Sequence, residues 1–113
     1  IMIETRPWGQ YEILLDAEHT KVKRITVKPE GLLSLQYHMK RREAWTIVSG
    51  WAEVEVDGIK EDKKPGETVL IPMGATHRVG NNGSEDLVFI EVQTGTYFGE
   101  DDIIRLEDSY GRS

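Results

Sequence analysis

The sequence predicts an all-β fold, a small sandwich or barrel, and three observations carry that prediction. Short segments rich in Val, Ile, Leu, Thr, Trp and Tyr are separated by closely spaced turn signals. No segment sustains the helical apolar period of about 3.6 residues. On several segments, residues two apart share one chemistry, as they do on a face of a pleated strand. The chain has 113 residues, enough for one core, so residues 1–113 are expected to form a single domain.

Taken in order, Lys21 to Val27 is the first predicted strand, closed by the turn signal Pro29-Glu30-Gly31. Leu33 to His38 follows, with Ser34, Gln36 and His38 on one face and Leu33, Leu35 and Tyr37 on the other. One polar and one apolar face on the same strand suggest a barrel whose lumen is a site. Ala44 to Val48 runs to Ser49-Gly50. Ala52 to Val56 alternates apolar and polar residues and leads into Asp57-Gly58, a strong hairpin signal. Thr68 to Ile71 lies between Pro65-Gly66 and Met73-Gly74. Leu87 to Gln93 follows Asn81-Asn82-Gly83, and on it Glu91 and Gln93 face away from Ile90 and Val92, again implying a polar lumen. The acidic run Glu100-Asp101-Asp102 is expected to cap a short helix reaching about Arg105.

Composition excludes several classes. Charged residues are 30% and hydrophobic residues 38%, ordinary for a soluble globular protein. A formal net charge of −6 argues against nucleic acid as a partner. No apolar run is long enough for a transmembrane helix, so no membrane partner is expected. No charged-then-apolar leader opens the chain and there is no cysteine, which together point to the cytoplasm. Without thiolates, any metal must be held by imidazole, carboxylate or amide groups.

Two spaced constellations supply such groups: Gln36-x-His38-x4-Glu43-x6-Gly50 and Gly66-x5-Pro72-x-Gly74-x2-His77-x3-Asn81. The first provides an amide oxygen, an imidazole and a carboxylate; the second provides another imidazole. Gln36, His38, Glu43 and His77 sit on or beside predicted strands and are expected to converge on a divalent metal. Gly74 is expected to allow the turn that returns His77 to the barrel. Asn81 fits a turn residue better than a ligand. His19, in the polar turn Asp16-Ala17-Glu18-His19-Thr20, is expected to lie away from the site.

These two motifs resemble the signature of the cupin superfamily over Gly31 to Asn81, whose fold is a double-stranded β-helix or jelly-roll barrel. Most cupins have His-x-His in the first motif; here it is Gln36-x-His38. A closer resemblance covers nearly the whole chain. Arg6-Pro7-Trp8-Gly9-x-Tyr11, Leu33-Ser34-Leu35-Gln36-x-His38, Glu43-x-Trp45, Ile71-Pro72-x-Gly74, His77-Arg78 and Glu91-Val92-Gln93-x-Gly95 all take part. So does Gly99-Glu100-Asp101-Asp102-Ile103-x-Arg105 through Asp108-x-Tyr110-Gly111-Arg112. Together they resemble the type II mannose-6-phosphate isomerase domain. In that family the domain is often the C-terminal part of a bifunctional enzyme of GDP-mannose biosynthesis. Its other part is a mannose-1-phosphate guanylyltransferase, to which nothing in this chain corresponds. Two local departures stand out. The family usually places Gly directly after the turn Pro, whereas here Glu30 intervenes and Gly31 is expected to supply the positive φ. The family often has His between the ligand Glu and the Trp, where this chain has Ala44.

The resemblance implies a metal-dependent aldose–ketose isomerase interconverting mannose-6-phosphate and fructose-6-phosphate, with zinc as the metal. The ligand set itself would also accept Mn²⁺, Fe²⁺ or Co²⁺. Arg41 matches an arginine the family keeps two residues before the ligand Glu, and its fork suits a phosphate or a developing enediolate. Glu91 is the candidate general base. Lys23, Arg78, Arg105 and Arg112 are candidates for substrate binding. Trp8 and Trp45 fit core or lumen wall. A homodimer is expected, pairing through Leu33, Leu35 and Tyr37 or through the N-terminal segment to Trp8. Two other readings stand beside the isomerase. One is a non-catalytic sugar-phosphate or nucleotide-sugar binding module that partners a separate guanylyltransferase. The other is a cupin oxygenase using His38, Glu43 and His77 on iron.

Overall fold

Strand alternation divides most segments into an inner and an outer face, and the inner faces enclose one core. The computed structural model describes residues 2–112. Chain order gives β1 (Met2–Arg6), β2 (Gly9–Asp16), β3 (Thr20–Val27), β4 (Leu35–Tyr37), β5 (Arg41–Ser49) and β6 (Ala52–Val56). β7 (Ile59–Lys63), β8 (Thr68–Ile71), β9 (His77–Gly80) and β10 (Leu87–Gly95) follow, then a 3₁₀ turn (Glu100–Asp102) and β11 (Ile104–Glu107). The strands form a six-stranded sheet, β1-β2-β3-β10-β5-β8, and a five-stranded sheet, β11-β4-β9-β6-β7. All pairings are antiparallel. Among the described residues no helix is long and apolar enough to cross a membrane.

The core draws on both sheets. Ile25, Val27, Trp45, Ile47, Val69, Ile71, Leu87 and Phe89 come from the larger sheet; Ala52, Val54 and Val79 come from the smaller. Each sits at an alternate position of its strand, so burial follows from the period of two. Towards one end of the barrel the same inward positions become polar: Lys23 on β3, Glu43 on β5, Glu91 and Gln93 on β10. The apolar core thus grades into a polar lumen along the strands themselves.

The Asp57-Gly58 hairpin forms between β6 and β7 with positive φ at both residues, 49° and 81°, as the tight primed turn requires. Three expectations need correction. The predicted strand Leu33 to His38 shortens to Leu35–Tyr37, because Leu32 and Leu33 are held irregularly, by a bridge to Gly80 and by the Leu33 N–H on the Val79 carbonyl at 3.0 Å. Leu33 is consequently buried in the core beside a buried Ser34, rather than on an outer face. The helix expected through Arg105 is only the Glu100–Asp102 turn; Ile103 is extended and Arg105 lies in β11, opposite Gln36. Finally, the turn at Pro29 puts its positive φ on Glu30, at 67°, not on Gly31. The Gly31 N–H reaches the Lys28 carbonyl at 2.9 Å, closing a four-residue turn with Pro29 and Glu30 at its centre. Gly31 is needed for another reason: a Cβ there would stand 2.6 Å from the Trp8 carbonyl oxygen.

Candidate metal centre

Three strands or their ends deliver the expected ligands to one place. Gln36 on β4 is in register with His77, the first residue of β9, so their side chains stand on the same face of the small sheet. His38 follows the end of β4, and Glu43 points inward from β5 on the opposing sheet. Gly74, with φ of 80°, makes the turn before β9, and its N–H donates to the His38 carbonyl at 2.8 Å. That bond ties the two ligand-bearing segments together.

The nitrogen and oxygen atoms that His38, Glu43 and His77 can offer lie within 4.8 Å of one another, and all three residues are buried. His38 Nε2 is 3.2 Å from Glu43 Oε2, and His77 Nε2 is 3.8 Å from Glu43 Oε1. Each imidazole uses Nδ1 on a backbone carbonyl, His38 on Asp102 at 3.2 Å and His77 on Ala75 at 3.0 Å. A carbonyl only accepts, so Nδ1 carries a proton in both rings. Each Nε2 faces Glu43. Imidazoles held at Nδ1 by an outer hydrogen bond, with Nε2 turned to a carboxylate, are the donor arrangement a divalent ion takes when it displaces the Nε2 proton. Gln36 donates from Nε2 to Ser34 Oγ at 3.1 Å and lines the same cavity.

Electrostatics sharpen the roles. Burial alone would push the Glu43 carboxyl up, but the His38 hydrogen bond, His77 and Arg41 together hold it well below the usual carboxylate range. Burial pushes His77 down, towards its neutral ligand form. Glu91 behaves oppositely: burial, then the nearby Glu43 carboxylate, push it up to about 8. Trp45 Nε1 bridges the two acids, donating to Glu43 Oε1 at 3.1 Å and Glu91 Oε1 at 3.0 Å. Gln93 Nε2 donates to the other Glu91 oxygen at 2.7 Å. Lys23 faces Glu91 across β3 and β10, with its ammonium 4.1 Å from the Tyr11 ring centroid, and burial lowers its pKa.

Strand direction separates the Lys40-Arg41-Arg42 run. Lys40 and Arg42 are exposed, while Arg41 is buried and turned into the site. Its Nε donates to Glu43 Oε2 at 3.0 Å, and its Nη2 lies 3.3 Å from His38 Nε2. Lys23, Arg78, Arg105 and Arg112 all line the same lumen, as do Trp8 and Trp45. Arg78 donates to the Leu33 carbonyl, and Arg112 pairs with Asp108. Ala44 faces outward, in register with Leu70 and Val92, so a histidine at that position would stand on the outer surface, not in the lumen. His19 is exposed, and Asn81 donates from Nδ2 to the Val27 and Glu85 carbonyls and accepts the Gly83 N–H on Oδ1. Sequence reasoning missed two residues. Arg6 lines the lumen, donating to Tyr11 Oη at 3.0 Å. Asp102, taken for a helix cap, instead buries its side chain against the loop after His38.

Comparisons with known proteins bear on the family and the fold. Residues 3–108 match the family model described as mannose-6-phosphate isomerase C-terminal. The xanthan biosynthesis protein XanB of Xanthomonas campestris is 50% identical over a 112-residue alignment that covers 96% of this chain and 23% of that protein. The mannose-1-phosphate guanylyltransferase of Escherichia coli K12 is 46% identical over 107 residues, 95% of this chain and 22% of that one. The alginate biosynthesis protein AlgA of Pseudomonas aeruginosa is 47% identical over 108 residues, with coverage of 96% and 22%. The chain therefore spans under a quarter of the length of these curated relatives. Among solved structures, a double-stranded β-helix protein of Klebsiella pneumoniae superposes with a TM-score of 0.75 at 24% identity, covering 85% of this chain and 77% of that one. The capsular polysaccharide assembling protein CapF of Staphylococcus aureus gives a TM-score of 0.83 at 22% identity, covering 95% and 34%. These structural likenesses show the cupin barrel alone; the family match, over nearly the whole chain, places this protein in the mannose-6-phosphate isomerase C-terminal family.

Proposed function

We propose that this chain is a metal-dependent aldose–ketose isomerase acting on mannose-6-phosphate and fructose-6-phosphate. The observation that carries the reading is the row Arg105–Gln36–His77 across three adjacent strands of the small sheet. It places the ligand histidine and an arginine two strand spacings apart, about 9–10 Å. That is the length scale of a six-carbon chain with its carbonyl end at the metal centre and its phosphate at the β11 edge.

Gln36, His38, Glu43 and His77 would hold the ion, zinc or else manganese, iron or cobalt, and this set carries a single negative charge from Glu43. A divalent ion there supplies Lewis acidity towards the oxygens on C1 and C2. The remaining work falls to the chain. Glu91, with a pKa raised to about 8, can both take the C2 proton and return it to C1. Trp45 and Gln93 fix both of its oxygens. Arg41, turned towards the centre, supports charge on the enediolate, while Arg78, Arg105 and Arg112 on the small-sheet side take the phosphate. Buried Lys23 faces Glu91 and balances its charged form.

A homodimer suits the outer face of the large sheet. Val22, Val92, Ala44 and Leu70 form one continuous apolar row across four strands, and Leu70 is 73% exposed. A second functional reading follows from the relatives, all three of which bear guanylyltransferase or biosynthesis names and extend well beyond this chain. On that reading the lumen binds a sugar phosphate or nucleotide sugar without turning it over, alongside a separate guanylyltransferase. A coupled assay in both directions on mannose-6-phosphate and fructose-6-phosphate separates the two. Interconversion is expected; calorimetric binding of either sugar phosphate without interconversion would replace the isomerase with the binding module.

A further inference from the structure

We propose that Asp102 is a positioning residue of the metal centre, joining the ligand loop to the wall of the substrate lumen. The inference rests on the metal reading of His38, Glu43 and His77.

Asp102 acts through three hydrogen bonds, all to residues more than sixty positions earlier in the chain. Its backbone carbonyl accepts from His38 Nδ1 at 3.2 Å. Its carboxylate accepts the Met39 N–H on Oδ1 at 3.2 Å and the Lys40 N–H on Oδ2 at 3.0 Å. The residue is 8% exposed, so these bonds form with little competition from water. Met39 and Lys40 are the first two residues of the connection from His38 to Arg41 and Glu43. One residue therefore sets the tautomer of one ligand and clamps the backbone leading to the next. The carboxylate suits this place because each of the two adjacent N–H groups meets an oxygen of its own.

The surrounding bonds extend the same clamp. The Thr96 N–H donates to the Lys40 carbonyl at 3.1 Å, and Arg41 Nη1 donates to the Phe98 carbonyl at 3.4 Å. Segment 96–102 thus follows the ligand loop along its length. The same segment continues into Ile103 and Arg105, which line the lumen with Glu100. Asp102 stands at the junction, so displacement of the ligand loop displaces the wall that would face the substrate. Loss of an outer hydrogen-bond partner of a metal ligand ordinarily costs about 10- to 100-fold in metal affinity.

The test compares Asp102→Ala and Asp102→Asn with the unaltered chain, by zinc competition against a chromophoric chelator and by the visible spectrum of the cobalt form. Asp102→Ala keeps the carbonyl that meets His38 and removes both acceptors of the loop N–H groups, so zinc affinity is expected to fall about 10-fold, the lower end for an outer hydrogen-bond partner, and the cobalt bands to shift. Asp102→Asn keeps one acceptor oxygen, so its affinity is expected to fall between the two. If Asp102→Ala does not fold, Asp102→Asn alone decides, through a weakened affinity with a shifted spectrum. Unchanged affinity and spectrum in the folded variants would overturn the inference while leaving the metal reading intact. An unaltered chain that binds neither ion would overturn the metal reading, and the inference with it.

Discussion

Glu43 and Glu91 lie under one indole N–H and are shifted in opposite directions, and that difference is a matter of neighbours. Glu43 has His38, His77 and Arg41 to hold it charged; burial and the Glu43 charge push Glu91 up to about 8, where it can both take and return a proton. Arg41 belongs with Glu43, so its loss should act on turnover more than on substrate binding. Arg41→Ala is expected to lower kcat with KM nearly unchanged, costing about 1.5–3 kcal/mol or roughly 10- to 150-fold in kcat/KM. A raised KM at full kcat would move Arg41 to the phosphate. Glu30 offers a test of local strain. Its φ of 67° at the third position of the Lys28–Gly31 turn is one that glycine adopts without cost. Glu30→Gly should therefore stabilise the fold by about 1 kcal/mol in chemical denaturation, and a destabilised variant would refute the turn assignment.

At the scale of elements, the sequence was legible wherever the period of two ran unbroken. β6 with its Asp-Gly hairpin, β8 and β10 follow that period, and the inward set Glu91 and Gln93 was readable from it. It failed where pairing rather than pattern made the strand. β2 carries a register shift between Ile13 and Leu15, which breaks the alternation. β11 is four residues with one inward arginine, formed because Ile104 and Arg105 pair with Tyr37 and Gln36. The convergence of His38, Glu43 and His77 was legible from their spacing between turn residues; Asp102 was not, because its partners are backbone groups that no side-chain pattern reveals. The C-terminal strap beyond β11 makes its own prediction. The Arg112 hydrogen bonds pull Asp108 down from 3.8 to about 2. A carboxyl lowered on folding contributes stability above its unfolded pKa and loses it as pH falls through the folded one. Local opening of residues 104–112, read by hydrogen exchange, should therefore rise from near pH 3.8 to pH 2. Asp108→Asn should show that opening already at neutral pH, and equal protection in both chains would contradict the role of the pair.

For the whole molecule, the two sheets divide their labour: the large sheet supplies most of the core with Arg41, Glu43 and Glu91, and the small sheet carries Gln36, His77, Arg78 and Arg105. Of the residues expected at a dimer contact, Leu33 and Trp8 are buried within the chain, Leu35 and Tyr37 are half-buried, and Met2 and Ile3 of the N-terminal segment are exposed. The row Val22–Val92–Ala44–Leu70 is another apolar surface for such a contact, and the one proposed for the homodimer. Light scattering should give a dimer at micromolar concentration and a monomer for Leu70→Asp; a monomeric unaltered chain would refute it. The central claim is that one metal at His38, Glu43 and His77 drives sugar-phosphate isomerisation. It is tested most directly by stripping the metal with a chelator, adding zinc back in steps, and following bound metal and turnover in the same sample. Turnover should vanish on stripping and return in proportion to bound zinc, saturating at one ion per chain, with neither binding nor turnover in His77→Ala. Turnover that survives complete stripping, or full metal content in His77→Ala, would contradict it.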